Sequence, residues 1–252
     1  MSNQLLHRLL TPVRLAARRF VMLPPVEKSY VGEHGCIRTA AQFVTWNQIP
    51  GDYCEFGVYQ GDTFAVAYHT LCGLRRRHSH QGFLGESNAP EYRQWLEDRP
   101  RFIAFDSFEG LPAGTGERQV DYKVGAFACG EDDFRRNISR QNVDLNDVIT
   151  VKGFYDQSLN AGTKQRHKIS KVSVALIDCD LYESTVPVLD FLIDLVQQGT
   201  ILIFDDWFRF KGNPNCGEQR AFREWQKRNP HLELIEYWRE GPQAVSFLVN
   251  FR

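Results

Sequence analysis

The chain has 252 residues, 42% hydrophobic and 13% aromatic, which is enough to bury one large core. A formal net charge of −1 at pH 7 gives no sign of nucleic-acid binding, and no apolar run approaches the roughly 20 residues of a membrane-spanning helix. Six cysteines without a CxxC pair favour reduced thiols and a cytoplasmic location.

Residues 1–30 are predicted to form a basic amphipathic arm ahead of a single domain over residues 31–252. In the arm, apolar and basic positions alternate with helical spacing: Leu5, Leu6, Leu9, Leu10 and Val13 against Arg8, Arg14, Arg18 and Arg19. The arginines interrupt the apolar region that a secretory signal requires. A mitochondrial presequence or a helix on a membrane surface would share this pattern, but we favour a helix that packs on its own domain or on a second subunit. We therefore expect a homo-oligomer, most simply a homodimer.

Helices and strands are predicted to alternate between residues 36 and 152. Hydrophobic spacing predicts a helix at 36–48, a strand at 53–57, a helix from 63 to 74, a short helix at 92–96, a strand at 101–105 followed by Asp106, a helix at 132–141 and a strand at 148–152. Two connections are predicted to be irregular, a polar segment at 75–100 and a glycine-rich loop at 107–130.

Two further apolar runs each end in a pair of aspartates. The run 172–177 precedes Asp178 and Asp180, and the run 200–204 precedes Asp205 and Asp206. Because helical spacing separates the runs, they are predicted to be parallel neighbours whose carboxyl ends lie side by side. Four carboxylates at one edge would raise one another's pKa values, and a hard divalent cation, by preference Mg²⁺, would relieve the repulsion. The alternative is that these aspartates are ordinary turn formers or helix caps.

The end of the chain carries two strands, at 232–238 and 244–251, separated by only five residues. So short a connection predicts an antiparallel hairpin. Together with the five preceding strands, it predicts an α/β fold with a doubly wound, mostly parallel sheet and a C-terminal antiparallel hairpin strand. In such sheets, ligands bind at the carboxyl ends of the strands.

The turn after the first strand carries Glu55, Gly57 and Gly61. Its glycines permit a tight turn and a close approach to a ligand, but their spacing matches neither the dinucleotide pattern nor the P-loop. An acidic residue ahead of this turn would repel a pyrophosphate and would suit a cationic ligand, such as the sulfonium and ammonium groups of S-adenosylmethionine. Asp106, after the neighbouring strand, is placed to bind two ribose hydroxyls. The alternative is an ordinary strand-to-helix turn.

Four motifs in this order resemble the macrocin O-methyltransferase family, which comprises class I S-adenosylmethionine-dependent enzymes that methylate sugar hydroxyls in macrolides and aminocoumarins. The motifs lie at residues 55–61, 105–112, 177–185 and 204–207, and the resemblance spans most of the chain. It implies a Rossmann-like methyltransferase sheet, S-adenosylmethionine as cofactor and Mg²⁺.

The same resemblance implies roles for individual residues. Asp178, Asp205 and Asp206 match the Mg²⁺ ligands, and Asp180 matches the general base. The positions that match cofactor contacts are Glu55, Gly57 and Gly61 in the methionine loop, Asp106 and Ser107 at the ribose, Gly153 and Phe154 near the adenine, and Asp178, which belongs to both sets. Cys179 stands where glycine is common in the family, and it is small enough to be compatible with the site.

The acceptor expected from the resemblance is a hydroxyl of a sugar or of a glycosylated natural product, as in antibiotic biosynthesis. A cell-surface polysaccharide sugar is one alternative. A non-catalytic S-adenosylmethionine-binding module is another, although such a module needs neither a metal nor a base. A phosphoryl-transfer enzyme is disfavoured because the phosphate-binding loop is missing. Acceptor contacts are expected from loops 75–100, 107–130 and 208–219, and because loops vary freely the acceptor itself stays open.

Overall fold

A seven-stranded mixed sheet organises the part of the chain that this computed structural model describes, residues 34–81, 89–113 and 122–252. The strands are β1 (Asp52–Phe56), β2 (Phe102–Asp106), β3 (Val148–Lys152), β4 (Val172–Ile177), β5 (Ile201–Phe204), β6 (Leu232–Glu240) and β7 (Ala244–Phe251). The α-helices are α1 (Gly35–Trp46), α2 (Asp62–Gln81), α3 (Pro90–Glu97), α4 (Glu131–Arg140), α5 (Tyr155–Ser158), α6 (Ala161–His167), α7 (Tyr182–Leu192) and α8 (Gly217–Arg228). Short 3₁₀ turns lie at Leu145–Asp147 and Phe210–Gly212.

The strand order in the sheet is β3-β2-β1-β4-β5-β7-β6. The first five strands pair in parallel, and β7 runs antiparallel to both β5 and β6. The predicted fold class and the predicted C-terminal hairpin are therefore confirmed. The chain builds outward from β1 to β3 and then continues on the other side of β1 with β4, so the order reverses between β1 and β4. Such a switch point is where open α/β sheets bind ligands.

Helices cover both faces of the sheet, which explains why its central strands are apolar along their whole length. Every residue of β1 and β4 is buried. One core cluster contains residues of α7 and α8, among them Leu189 and Trp225. The other contains residues of α1, α2 and α4, among them Ala40, Phe64 and Phe134. The two layers hold the carboxyl ends of β1, β2, β4 and β5 in fixed positions along one edge.

Helix α2 is longer than its hydrophobic pattern indicates. The prediction that residues 75–100 begin an irregular segment is wrong for its first part, because α2 continues to Gln81. The extension is supported by Arg75, whose guanidinium lies 4.0 Å from the ring centroid of Trp95 on α3 and donates to the carbonyl of Asp98 at 2.8 Å. Arginine is also a good helix former, so local propensity and this tertiary contact act together.

Among the described residues, three helices have no counterpart in the predicted elements: α5, α6 and α8. The short helix predicted near residues 92–96 is present as α3. The N-terminal arm predicted for residues 1–30 lies outside the described residues, so its helix and its contacts stay predictions. None of the helices that the structure describes is long and apolar enough to cross a membrane.

Candidate active site

The two aspartate pairs meet at the sheet edge where the strand order reverses. The amide of Asp178 donates to the carbonyl of Phe56 at 2.9 Å, and the amide of Asp205 donates to the carbonyl of Ile177 at 3.0 Å. These backbone bonds continue the parallel ladders β1–β4 and β4–β5 past the ends of the strands. The carboxylates therefore follow neighbouring strands in register, as the sequence pattern predicts.

A cavity of about 590 Å³ lies over this edge, a volume typical of small-molecule sites. Most of the predicted site residues line it: Gly57, Asp106, Ser107, Phe154, Asp178, Asp180, Asp205 and Asp206. The wall also includes Tyr59 and Phe127, whose ring centroids are 6.1 Å apart in an edge-to-face arrangement. One cavity thus joins the turns that were predicted to bind a cofactor with the acidic edge.

Glu55, Gly61 and Gly153 do not line the cavity. Glu55 is fully buried, and its carboxyl accepts hydrogen bonds from the Tyr53 hydroxyl at 2.5 Å and the Thr63 hydroxyl at 2.6 Å. Burial raises the pKa of Glu55 to about 8. The Glu55 carboxyl is thus held by its own strand β1 and by the helix α2 that follows it. A methyl group on Gly61 would lie 2.4 Å from the side chain of Ile138, so glycine there lets the turn pack against α4.

Gly57 is required by the close approach of two loops. Its φ of 90° lies in the region that favours glycine, and a Cβ at this position would lie 1.8 Å from the carbonyl oxygen of Asp178. The Gly57 amide also donates to the carbonyl of Phe105 at 2.9 Å. The turn after β1 and the acidic loop after β4 therefore fit against each other only because position 57 has no side chain.

Asp106 joins the ends of β1 and β2. Its carboxylate accepts hydrogen bonds from the amides of Val58 at 2.8 Å and Phe108 at 2.7 Å. Burial raises the pKa of Asp106, and these two backbone donors, which stabilise its charged form, lower it in part. The neighbouring Ser107 donates from its hydroxyl to the carbonyl of Gly110 at 2.8 Å, which closes the following turn. Asp106 thus fixes the shape of the cavity wall that it lines.

The acidic edge carries an excess of negative charge. Burial, followed by repulsion from Asp205 and Asp206, raises the pKa of Asp178 well above its ordinary value. Burial and the neighbouring Asp206 raise the pKa of Asp180 to about 8 and that of Asp205 to about 6. Groups with such pKa values titrate close to neutral pH, which is where a general base is most effective.

Asp180 occupies a backbone conformation that non-glycine residues rarely adopt, with a φ of 61°. Helix α7 begins after Leu181 and has no side-chain hydrogen bond at its cap. The alternative role of Asp180 as the helix cap is therefore not supported. Strained backbone at a cavity wall is common where a side chain must point at a ligand.

Two residues of the site have no marker in the hydrophobic pattern. Arg209 donates from Nε to a carboxylate oxygen of Asp206 at 2.8 Å, and its guanidinium carbon lies 5.9 Å from the ring centroid of Tyr122. The Tyr122 hydroxyl is buried beside Asp180 without a hydrogen-bond partner of good geometry among the described residues. Arg209 follows Asp206 by three residues, which is a local signal; Tyr122 comes from the distant glycine-rich loop and gives none.

Helix α8 anchors the loop that carries Asp205 and Asp206. Glu218 is 1% exposed, and one of its carboxyl oxygens accepts from the Asp206 amide at 3.1 Å. The adjacent Gln219 donates to the carbonyl of Trp207 at 2.6 Å. The first turn of α8 therefore fixes the backbone on which the last two aspartates stand.

The chemistry of these carboxylates suits a divalent cation, but their present arrangement does not form a metal site. An all-oxygen set with mutually raised pKa values is what Mg²⁺ stabilises. Within residues 34–81, 89–113 and 122–252, however, no three histidine, cysteine or acidic side chains converge closely enough to hold a metal ion. The salt bridge from Arg209 to Asp206 occupies one of the three expected ligands.

The strand order, the cavity at its reversal and the antiparallel β7 define a Rossmann-like methyltransferase fold. The solved structure of CalS11, a calicheamicin methyltransferase, is similar with a TM-score of 0.60 and 20% identity, over 97% of this chain and 90% of that one. At that identity the likeness shows the fold alone.

The chain belongs to the macrocin-O-methyltransferase (TylF) family, whose family model matches residues 21–239. The resemblance seen in the four motifs is thereby confirmed. One curated relative is the demethyldecarbamoylnovobiocin O-methyltransferase of Streptomyces niveus, 29% identical over 68% of this chain and 58% of its own length. Another is the 8-demethyl-8-(2,3-dimethoxy-alpha-L-rhamnosyl)-tetracenomycin-C 4'-O-methyltransferase of Streptomyces olivaceus, 27% identical over 68% of this chain and 57% of its own. The matched segment thus spans less than three fifths of either relative.

Proposed function

We propose that this chain is an S-adenosylmethionine-dependent O-methyltransferase that methylates a hydroxyl of a sugar or glycosylated natural product with the help of Mg²⁺. The observation that carries the proposal is the shared cavity. Gly57, Asp106 and Phe154 line it together with Asp178, Asp180 and the two aspartates after β5. A methyl donor and a hydroxyl acceptor would meet in one cavity, as an in-line displacement requires.

Asp180 is the proposed general base. A sugar hydroxyl is a weak nucleophile, and its proton must leave as the oxygen attacks the methyl carbon. The Asp180 carboxylate lines the cavity, and its pKa of about 8 allows it to accept that proton near neutral pH. The Tyr122 hydroxyl is buried beside it. The left-handed backbone at Asp180 holds the carboxylate on the cavity wall.

Asp106 and the turn after β1 are proposed to position the cofactor. Three backbone amides, those of Val58, Tyr59 and Phe108, hold the Asp106 carboxylate in place. The carboxylate still lines the cavity, and the Tyr59 contact is long at 3.4 Å, so ribose hydroxyls can donate to the same oxygens. Phe154 lines the same wall and is suited to the adenine. Glu55 acts indirectly: its carboxyl accepts from the Thr63 hydroxyl at the start of α2 and so fixes the turn that would receive the cofactor.

Asp178, Asp205 and Asp206 are proposed to hold Mg²⁺. When bound, the ion would supply Lewis acidity, lowering the pKa of an acceptor hydroxyl next to the base. Glu218 supports this role by accepting from the amide of Asp206, which fixes the backbone that carries this side chain. Arg209 pairs with one oxygen of Asp206, Oδ1, so its positive charge opposes ion binding at that carboxylate.

The names of the relatives favour a natural-product glycoside over a polysaccharide. Each of the two curated relatives is named for O-methylation of an antibiotic-type molecule, and one name specifies a rhamnosyl group. Methylation of a cell-surface polysaccharide sugar is the second candidate acceptor. A purely binding module is less compatible with the site, because a strained aspartate with a pKa near neutrality beside a cavity serves proton transfer rather than binding.

Calorimetry and turnover test the proposal in two steps. S-adenosylhomocysteine should bind the wild-type protein, and Asp106→Ala should weaken it by about 1.5–3 kcal/mol for each charge-assisted hydrogen bond lost. Because Asp106 also accepts from three backbone amides, circular dichroism must show that the variant is folded. Turnover with S-adenosylmethionine, Mg²⁺ and a panel of rhamnosylated acceptors should then yield a methylated glycoside. Unchanged affinity in folded Asp106→Ala would refute the ribose assignment, and binding without turnover on any glycoside or polysaccharide would favour the binding module.

A further inference from the structure

We propose that Arg209 is a built-in counter-cation that occupies the acidic edge and competes with a divalent ion for Asp206. The inference rests on the proposed metal site and goes beyond it, because it assigns a role to a side chain that neither binds the cofactor nor transfers a proton. In the metal-free protein the guanidinium neutralises the carboxylates. On metal binding its charge is repelled by the ion, and we expect it to leave Asp206.

The charges around the edge give Arg209 this function. Asp206 is 4% exposed, so an unpaired carboxylate there would be costly. Arg209 donates to it at 2.8 Å and lines the same cavity as Asp180 and Asp205. The guanidinium therefore offsets negative charge that the carboxylates of this edge share.

The surroundings of Arg209 allow it to hold this position and to leave it. The Arg209 amide donates to the carbonyl of Asp206 at 3.0 Å, so the backbone of the turn stays fixed while the side chain moves. The guanidinium lies over the Tyr122 ring, at a distance where a cation is attracted by an aromatic face. The side chain is 31% exposed and lines the cavity, so it can move into solvent without disturbing the core.

Two buried polar atoms near the edge show that its present arrangement is incomplete. The Tyr122 hydroxyl and one carboxyl oxygen of Glu218 both lack a hydrogen-bond partner in the described part of the chain. Their residues are 8% and 1% exposed. Buried polar groups are rarely left unpaired in a finished site. An edge that gains an ion and its bound oxygens would offer such partners, whereas the present pairing of Arg209 with Asp206 leaves both atoms unsatisfied.

Metal affinity in Arg209 variants tests the proposal without any catalytic readout. Calorimetric titration of Mn²⁺ should give a dissociation constant for Arg209→Met that is tighter than wild type by about tenfold, equivalent to about 1.4 kcal/mol. Arg209→Lys keeps the charge and should stay close to wild type. If Arg209→Met does not fold, Arg209→Gln removes the same charge with a polar side chain and should show the same gain.

Arg220→Met is the matched control. Arg220 also lies over a tyrosine ring, at 3.8 Å from that of Tyr182, and also pairs with a carboxylate, Glu224 at 3.0 Å. It sits on α8 and is not among the residues that line the cavity. Its removal should leave Mn²⁺ affinity unchanged. A gain that appears only at position 209 is therefore a property of the acidic edge and not of losing an arginine.

The outcomes separate this inference from the proposed function. If wild-type protein binds Mn²⁺ and the charge-removing variants bind it equally or more weakly, Arg209 is not a competitor and the inference is overturned, while the metal site stands. If neither wild type nor any variant binds Mn²⁺ at millimolar concentration, the metal site and the inference both fail. S-adenosylhomocysteine binding in the same samples then shows whether the methyltransferase assignment survives.

Discussion

Replacing Gly57 by alanine tests how the turn after β1 and the acidic loop after β4 depend on each other. The new Cβ would lie 1.8 Å from the carbonyl oxygen of Asp178, whereas ordinary contacts begin at 3.4 Å, so the two atoms must separate by about 1.6 Å. Both are backbone-attached and neither belongs to a flexible side chain. The separation must therefore move the turn, the Asp178 loop or both.

The expected loss of stability is about 2–3 kcal/mol. A non-glycine residue at a φ of 90° costs on the order of 1–2 kcal/mol. Moving the loop also weakens the hydrogen bond from the Asp178 amide to Phe56, which is worth about 1 kcal/mol. Cofactor binding should be affected more strongly than stability, because a shift of this size displaces Asp178 from the cavity wall and narrows the space beside the turn.

Urea unfolding and S-adenosylhomocysteine calorimetry measure both effects, with Gly73→Ala as control. Gly73 lies within α2, and a Cβ there meets nothing within 4 Å. Gly73→Ala should therefore stabilise the protein by up to about 1 kcal/mol through helix propensity and leave binding unchanged. A Gly57→Ala protein with wild-type stability and wild-type affinity would refute the close-approach argument and with it the placement of the cofactor beside this turn.

Four further outcomes are expected. Asp180→Asn should keep metal and cofactor binding and lose about two to four orders of magnitude in rate, the usual contribution of a general base. A fully active variant would show that Asp180 is not the general base. Saturating chelator should abolish turnover and leave S-adenosylhomocysteine affinity intact, and full activity in chelator would end the metal proposal. Removing residues 1–24 should reduce a homodimer to a monomer in light scattering, and an unchanged mass would refute assembly through the N-terminal arm. In chelator, the free energy of unfolding should fall as the pH rises from 4, because burial raises the pKa of Asp205 to about 6 and that of Asp180 to about 8 in the folded protein. Each aspartate contributes a fall of about 1.4 kcal/mol per pH unit until the pH reaches its folded pKa. Urea titrations at several pH values that show a flat profile would contradict the charge excess.

The parts of the fold and the site that sequence could predict are those fixed by local pattern. The runs before Asp178 and Asp205 are apolar because helices cover both faces of the sheet, and that same burial makes them recognisable as strands. Parallel neighbours then place the aspartates together by necessity. Gly57 was recognisable because few residues other than glycine can occupy so tight a turn.

The parts that sequence could not predict depend on contacts between distant segments. Helix α2 continues past its apolar stripe because Arg75 packs on the ring of Trp95, which belongs to α3. Tyr122 reaches Asp180 from the loop after β2, and no periodicity marks such a residue. Glu55 shows the converse: its position in the motif predicts a ligand contact, yet Tyr53 and Thr63 already hold its carboxyl. Whether a polar side chain faces inward or toward a ligand is decided by packing.

The acidic edge links stability, metal affinity and the position of Arg209 through one charge excess. Asp178, Asp180 and Asp205 have raised pKa values because burial and mutual repulsion oppose their ionisation. Protons, the Arg209 guanidinium and a divalent ion can each offset that excess, and they therefore compete for the same oxygens. A competitor that binds only the folded state also stabilises it. It follows that added Mg²⁺ should protect the fold most at alkaline pH and in variants without Arg209, where the other two sources of positive charge are missing.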